Sequence, residues 1–428
     1  MRENLIASLD IGTTKVCCII AGEGKNGNLS VLSYGVAESE AFASHNLINI
    51  NKLSQAVEEA VQKAKAKIEA EIEDLIVNIS GEHITGLRYK NYVTIVNDER
   101  EIGENDLKRL KLELKSLKIP VDKEIVHVLP EEYIIDGQGG ITDPIGISGN
   151  KLEAASYVVM ANKTNLNDIT KAVEKAGYKV GSFVLSQIAT SAAVLEENEK
   201  DLGVLLIDIG GLTTDIIVIH RKTIKLTKVY NIGGNRVTAD VREALGIITE
   251  DAESLKRVYG YATQSALVKE EMIPIKGFGA RRDSTITVSL LTDIINARLV
   301  ELFKMIDADL RALGVKNKIK AGIIVTGGGA MIKGCTELIE EVFGMPAKIG
   351  FPSDKFTGHL NEIEKPEFAT ALGLLEKVQD MKINDENESA RPAKGKPKKE
   401  KSKSDSYKDQ PGKIKGMIDG FKKFFNDL

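Results

Sequence analysis

The sequence predicts an α/β protein of two related lobes facing a common cleft, followed by a polar linker and a short amphipathic helix. Three observations carry this. Apolar runs of strand length alternate with amphipathic stretches such as "INKLSQAVEEAVQKAKAKIEAEI", the pattern of layered α/β architecture. Two segments, "LIASLDIGTTKVCCIIAG" and "GVLLIDIGGLTTDIIVIH", share an apolar strand, Asp-Ile-Gly, a Gly/Thr turn and a second apolar strand, so each half presents one β-hairpin turn. The chain's 428 residues exceed a single ordinary domain and can bury more than one core.

Composition narrows the class. The three cysteines, Cys17, Cys18 and Cys335, have no metal-ligand spacing and read as small buried apolar residues in a reducing compartment. The apolar start reaches Asp10 too soon for a signal peptide, and no run approaches the roughly 20 apolar residues of a spanning helix, so the expected compartment is the cytoplasm. Net charge is −4 but uneven: residues 381–428 hold 13 Lys+Arg against 8 Asp+Glu, and the remainder 45 against 54. An acidic body argues against nucleic-acid binding, because phosphate backbones select clustered Lys and Arg.

The first hairpin offers glycine backbone for close approach, threonine hydroxyls as donors and the positive charge of Lys15, together a phosphate cradle. A carboxylate beside phosphate repels it, so Asp10 and its counterpart Asp208 point to a hydrated divalent cation between them, with Mg²⁺ the best fit. Either hairpin alone reads equally as a tight turn with a satisfied Asp; the duplication favours the phosphate reading. In "AGIIVTGGGAMIKG" a buried strand, three glycines and a helix expected near Ala330 let a base or ribose lie against bare backbone. In "DAESLKRVYG", Glu253 and Lys256 lie three apart on one helical face, where they bracket a ribose or form a solvated ion pair. There is no Gly-x-x-x-x-Gly-Lys-Ser/Thr run, which excludes the P-loop route to ATP.

The ordered set of two hairpins, "AExxK"-type helix and Gly-rich turn resembles the actin, hexokinase and DnaK-type chaperone superfamily. More closely it resembles the bacterial cell-division family FtsA, over nearly the whole chain. The most specific stretches are "EIVHVLPEEYIIDGQGGITDPIGISGNKLEA", "GGNRVTADV", "ARRDSTITVSLLTDIINARLVELF" and "PEFATALGLL". The resemblance implies an actin-like two-lobed fold with duplicated ribonuclease H-like cores around a nucleotide cleft. It divides the chain into a first-lobe core (1–82 and 163–200) with an inserted subdomain (83–162), and a second-lobe core (201–231 and 301–363) with a small subdomain (232–300). Residues 364–380 return to the first lobe, 381–411 form a disordered linker and 412–428 a membrane-targeting helix. His127, within the insert, reads as a packed strand residue.

Residue by residue, the resemblance assigns Asp10, Gly12, Thr13, Thr14 and Lys15 to the first phosphate loop and Asp208, Gly210, Gly211, Thr213 and Thr214 to the second. Gln187 matches the residue that orients the attacking water, and Gly327, Gly328, Gly329 and Met331 the nucleoside turn. Leu212 departs from the family's "GGGT": a Cβ there forbids a positive φ or narrows the pocket, which puts efficient hydrolysis in question. The implied function is an ATP- and Mg²⁺-binding protein that polymerises and tethers the FtsZ ring to the cytoplasmic face of the membrane at the division site. The implied partners are the FtsZ C-terminal tail, further copies of itself, other division proteins and anionic lipid. Arg281, Arg282 and Arg298 are candidate contacts for the acidic tail, or plain surface charges. A sugar-type kinase would need a catalytic base and a carbohydrate pocket, neither of which stands out; a chaperone-like ATPase would need a substrate-binding β domain.

Residues 381–410, "MKINDENESARPAKGKPKKEKSKSDSYKDQ", have almost no large apolar side chains with which to offset ordering entropy, and read as a flexible linker spanning about 30 Å. Beyond it, at 100° per residue, Ile414, Met417, Ile418, Phe421, Phe424, Phe425 and Leu428 share an arc of about 120°, flanked by Lys413 and Lys422. That arrangement suits the surface of an anionic bilayer.

Overall fold

The computed structural model describes residues 5–376 except 24–28, 44–45, 67, 69–70, 98, 115–116, 142, 278, 280–281, 353–355 and 361. Arg281, the linker and the amphipathic tail therefore lie outside the described residues.

The first lobe is a six-stranded sheet in the order Lys179–Leu185, Asp74–Ile79, Ile6–Ile11, Lys15–Glu23, Leu29–Glu38 and Phe356–Gly358. Ile6–Ile11 is central and wholly buried, which is why it reads as a continuous apolar run interrupted only by Ser8 and Asp10. It pairs antiparallel with Lys15–Glu23, Asp10 facing Cys17, and parallel with Asp74–Ile79. The helix Ile50–Lys65 packs on this sheet through Leu53, Val57 and Val61, and the side chain of Asn49 caps it by accepting from the Lys52 amide at 3.0 Å.

The second lobe repeats the plan with five strands, in the order Thr223–Tyr230, Thr214–His220, Val204–Ile209, Ile323–Thr326 and Ala347–Ile349. Asp208 faces Asp215 across its hairpin, the position that Cys17 takes opposite Asp10 in the first. The 25-residue helix Val288–Ala312 buries Leu291, Ile295, Leu299, Phe303 and Ile306 into this lobe's core at helical spacing. Between the lobes runs the helix Ser186–Val194, every residue of it buried.

The insert is an antiparallel sheet of Thr85–Thr94, Lys151–Asn162, Lys123–Ile135 and Gln138–Ile141, with the helix Glu104–Leu114 packed on it. His127 is buried there, its Nε2 accepting from the Leu185 amide at 2.9 Å, which ties the insert to the first lobe.

The chain's return differs from the sequence reading. Residues 301–363 were expected in the second lobe, but Phe356–Gly358 pairs parallel with Leu29–Val31 at the edge of the first sheet. The edge strand Leu29–Glu38 has free backbone groups that a short strand satisfies, and Phe356 gains a buried place in the first lobe's core. Residues 369–376 then form a helix, with Leu374 packed beside Ala189 and Val184, and Ser8 Oγ donating to the Ala371 carbonyl at 2.9 Å. Cys17, Cys18 and Cys335 are all buried, and burial pushes the thiols of Cys18 and Cys335 up to about 12. Among the described residues no helix is long and apolar enough to cross a membrane.

Candidate functional site

Both Gly/Thr turns close in the same way. The Gly12 amide donates to the Lys15 carbonyl and the Gly210 amide to the Thr213 carbonyl, each at 2.9 Å. The turns also meet across the cleft, where the Leu212 amide donates to Thr13 Oγ1 at 3.2 Å. A Cβ on Gly211 would stand 2.5 Å from Thr14 Cγ2, so glycine here permits the two turns to touch. The carbonyls of Gly210 and Gly211 accept from Gly234 and Asn235, docking the first turn of the helix Gly234–Leu245 on the second loop.

Three carboxylates line this junction. Asp10 accepts from Asn78 Nδ2 at 2.7 Å, and Asn78 Oδ1 in turn accepts from the Ile11 amide at 2.6 Å. Asp208 accepts from Thr190 Oγ1 at 3.2 Å and Thr370 Oγ1 at 3.3 Å. Asp215 accepts from Gln187 Nε2 at 2.6 Å and from the Ser80 hydroxyl, so a second-lobe carboxylate is held by two first-lobe side chains. Burial raises all three: Asp10 to about 7, where Lys15 opposes the shift and Asp208 adds to it, Asp208 to about 6, and Asp215 to about 7. Among the described residues no group of three acidic, histidine or cysteine side chains is close enough to hold a metal directly.

The glycine-rich turn arrives from the second sheet. Gly327 has φ +84°, and a Cβ on it would fall 2.3 Å from Asp208 Oδ1, so this backbone lies directly against the carboxylate. Gly328–Met331 is a single 3-10 turn with Met331 half exposed. The regular helix begins at Cys335, not near Ala330, because the chain first bridges Tyr261: the Ala262 amide donates to the Lys333 carbonyl at 2.7 Å. Lys256 is buried and pairs with Glu253 at 2.6 Å, and its ammonium donates to the Gly234 carbonyl and to Thr238 Oγ1. This is no solvated pair: it braces the helix docked on the second turn.

With this geometry in place, two family descriptions match the chain: Cell division protein FtsA over residues 205–373 and the SHS2 domain inserted in FTSA over residues 81–160. The cell division protein FtsA of Borreliella burgdorferi is 36% identical over 386 residues, 90% of this chain and 93% of that protein. The chain belongs to the FtsA family. The FtsA of Pseudomonas aeruginosa is 34% identical, covering 87% of this chain and 88% of its own. Among solved structures the fold is similar to a PilM–PilN type IV pilus biogenesis complex (TM-score 0.61, 15% identity, 87% of this chain and 98% of that one). It is also similar to MreB5 of Spiroplasma citri bound to ADP (TM-score 0.56, 15% identity, 90% and 98%) and a MamK double helical filament (TM-score 0.50, 12% identity, 88% and 98%). The fold of this FtsA-family chain is thus actin-like.

Of the two effects expected of Leu212, one on the backbone and one on the pocket, the structure bears on the first alone. Among the described residues positive φ outside glycine occurs only at Arg100, Asp136, Arg221 and Lys222, so Leu212 is not forced into a left-handed backbone. The turn also uses no positive φ at Gly210 or Gly211 and is shaped by what its glycines leave out. Of the candidate arginines, Arg282 is exposed, while Arg298 is engaged within the chain, its Nε 2.5 Å from Asp240 and a further nitrogen on Glu301.

Sequence reasoning passed over Asp215, Ser80, Asn78, Thr190, Thr370 and Phe368. Asp215 left a signal, a carboxylate within the otherwise apolar strand "TTDIIVIH". Gln187 has its Nε2 committed to Asp215, while its Oε1 is buried without a hydrogen-bond partner among the described residues.

The raised carboxylates make a stability prediction. A carboxyl whose folded value exceeds its unfolded 3.8 binds more protons in the folded state, so its favourable contribution is lost as pH rises from about 4 through 6 to 7. At pH 8 the ionised Asp208 costs the unliganded fold on the order of 1–3 kcal/mol. Asp208→Asn removes that cost. Denaturant titration of nucleotide-free protein should find the variant more stable than wild type at pH 8, with the gap closing towards pH 5.

Proposed function

We propose that this FtsA-family protein binds ATP with Mg²⁺ in the cleft, polymerises, and tethers the FtsZ ring to the cytoplasmic face of the membrane. The observation that carries the nucleotide reading is the junction of the two turns, where Asp10 and Asp215 are buried and Asp208 half-buried, none with an ion-pair partner among the described residues. Buried carboxylates of that kind are costly unless a cation joins them. Asp10 and Asp208 would hold Mg²⁺ through its water shell, with Lys15, the amides of both turns and the hydroxyls of Thr13 and Thr14 facing the phosphates and Glu253, Lys256, Gly327, Gly328, Gly329 and Met331 beside the nucleoside; the Thr214 hydroxyl is spent on the Ile232 carbonyl at 2.7 Å. The ion would supply charge neutralisation there. Gln187 has one acceptor, Oε1, free to orient a water, and Asp215 fixes the amide so that this oxygen is presented.

The FtsZ tail is assigned to the small subdomain of the second lobe. With Arg298 spent on Asp240 and Glu301, the better contacts are exposed Arg282 and a groove of about 590 Å³ at the border with the lobe core, where Lys304, Val300, Leu338 and Val342 stand beside Asp307, Arg311 and Glu341. Its apolar surface suits the apolar residues of a short peptide, and Lys304, which has no ion pair among the described residues, suits an acidic one, while Asp307 is already paired with Arg311 and Lys316. Self-association and contacts with other division proteins are part of the same reading, supported by family membership and the actin-like fold.

Isothermal calorimetry tests the cleft. Asp208→Asn should weaken Mg·ATP binding by about tenfold or more, since it removes one of the two carboxylates facing the hydrated ion. Unchanged affinity would mean that the ion and its phosphates bind elsewhere.

A further inference from the structure

The stretch "PEFATALGLL" crosses the cleft. Thr326 Oγ1, which donates to the Gly350 carbonyl at 2.9 Å, also approaches the Pro366 carbonyl at 3.4 Å next to the glycine-rich turn, and Thr370 donates to Asp208 at 3.3 Å. Between these two anchors sits Phe368, only 8% exposed, its backbone amide fixed on the Lys365 carbonyl at 2.9 Å. The Lys15 ammonium lies over its ring, 3.6 Å from the centroid.

Lys15 makes no ion pair with any described residue, although its charge acts on both Asp10 and Asp208. Had it closed on either carboxylate, cation and anion would cancel, and the site would lose its attraction for a phosphate and for a metal ion together. A ring face does something different. It attracts the ammonium through its quadrupole yet has no lone pair to occupy the N–H groups and no charge to neutralise. The donors turned away from the ring stay available.

We propose that Phe368 is the positioning residue for Lys15, holding its ammonium apart from the carboxylates and open to an anionic ligand of the phosphate class. This rests on reading the cleft as a phosphate site. The assignment accounts for an aromatic ring buried at a polar junction where an aliphatic side chain would fill the same core. It also makes the crossing segment a direct participant in anion recognition, since Phe368 meets the first loop and Thr370 the second.

The test uses the full chain with lysines labelled with ¹³C at Cε. In nucleotide-free wild type the Lys15 resonance, assigned by its loss in Lys15→Ala, is shifted upfield by the ring current. Phe368→Leu returns it to the ordinary lysine position, and Phe368→Tyr keeps the shift. In calorimetry with inorganic triphosphate, Phe368→Leu lowers affinity about threefold or more, and Phe368→Tyr restores it. In the Lys15→Ala background, Phe368→Leu has no further effect. An unshifted Lys15 resonance in wild type overturns the proposal, as does a Leu effect of equal size without Lys15, which would mark Phe368 as packing alone. A shifted resonance in a wild type that binds neither triphosphate nor ATP supports the hold on Lys15 and overturns the phosphate reading of the cleft.

Discussion

Gly327→Ala should abolish measurable nucleotide binding and lower stability by about 2–4 kcal/mol, while Gly328→Ala, one residue on, should leave stability nearly unchanged. The two positions look alike in "TGGGAM" and differ in what surrounds them. Gly327 holds φ +84°, a conformation that an L-residue adopts at a cost, and its added Cβ would fall 2.3 Å from Asp208 Oδ1 and 2.6 Å from the Ile209 carbonyl. Neither neighbour can yield cheaply. Ile209 is backbone in a fully paired strand, and Asp208 is fixed by Thr190 and Thr370. Relief therefore requires moving the glycine-rich turn away from the carboxylate, which opens the place where nucleoside and phosphate sites meet. At Gly328 the nearest atom to an added Cβ is Glu367 Oε2 at 4.0 Å, and the backbone is not left-handed. Denaturant midpoints on the pair, with an ATP titration of Gly327→Ala, check these claims; equal losses of stability at the two positions would refute the close-approach explanation.

How far the sequence disclosed this site depends on how local each feature is. The two hairpins were legible because strand, Asp, Gly/Thr turn and strand are contiguous, and a repeated local pattern has only a few physical explanations. The partners that complete the site were not. Asp215 lies 135 residues from Ser80 and 28 from Gln187, and Asp10 lies 68 from Asn78, so nothing in a window around either residue shows the pair. Arg298 shows the same limit in reverse: as an isolated cation it reads as a free surface contact, and only the packing of helix Gly234–Leu245 beside Val288–Ala312 brings Asp240 onto it. The backbone effect expected of Leu212 presumes a left-handed turn, whereas the observed turn owes its shape to missing Cβ atoms at Gly210 and Gly211. The lobes themselves were legible from alternating elements, but the edge strand Phe356–Gly358 was not, since three residues carry no periodicity.

The largest effect expected outside the cleft is at the C-terminal stretch "KIKGMIDGFKKFFNDL", where Phe421→Glu, or truncation after Gln410, should release the protein from membranes with ATP binding intact. On the membrane reading proposed above, seven apolar side chains, each half buried in the headgroup region, would give on the order of 1 kcal/mol apiece. Against this stands the cost of ordering a short helix that includes Gly416 and Gly420, each roughly 1 kcal/mol worse than Ala. The surplus for one copy is small, and Lys413 and Lys422 add to it only on anionic lipid. A single tail is therefore expected to bind weakly and reversibly. Copies joined in a polymer bind as one, because each bound tail raises the effective concentration of the next. Phe421→Glu places a charge in the middle of the apolar arc and so removes more than one contact, which a multivalent array multiplies. Co-sedimentation with anionic liposomes, with and without ATP, measures this directly. Wild type should pellet, more completely under conditions that assemble it, and the truncated chain should stay in the supernatant at every lipid concentration while retaining its ATP affinity; pelleting of the truncated chain would place membrane attachment in the body of the protein.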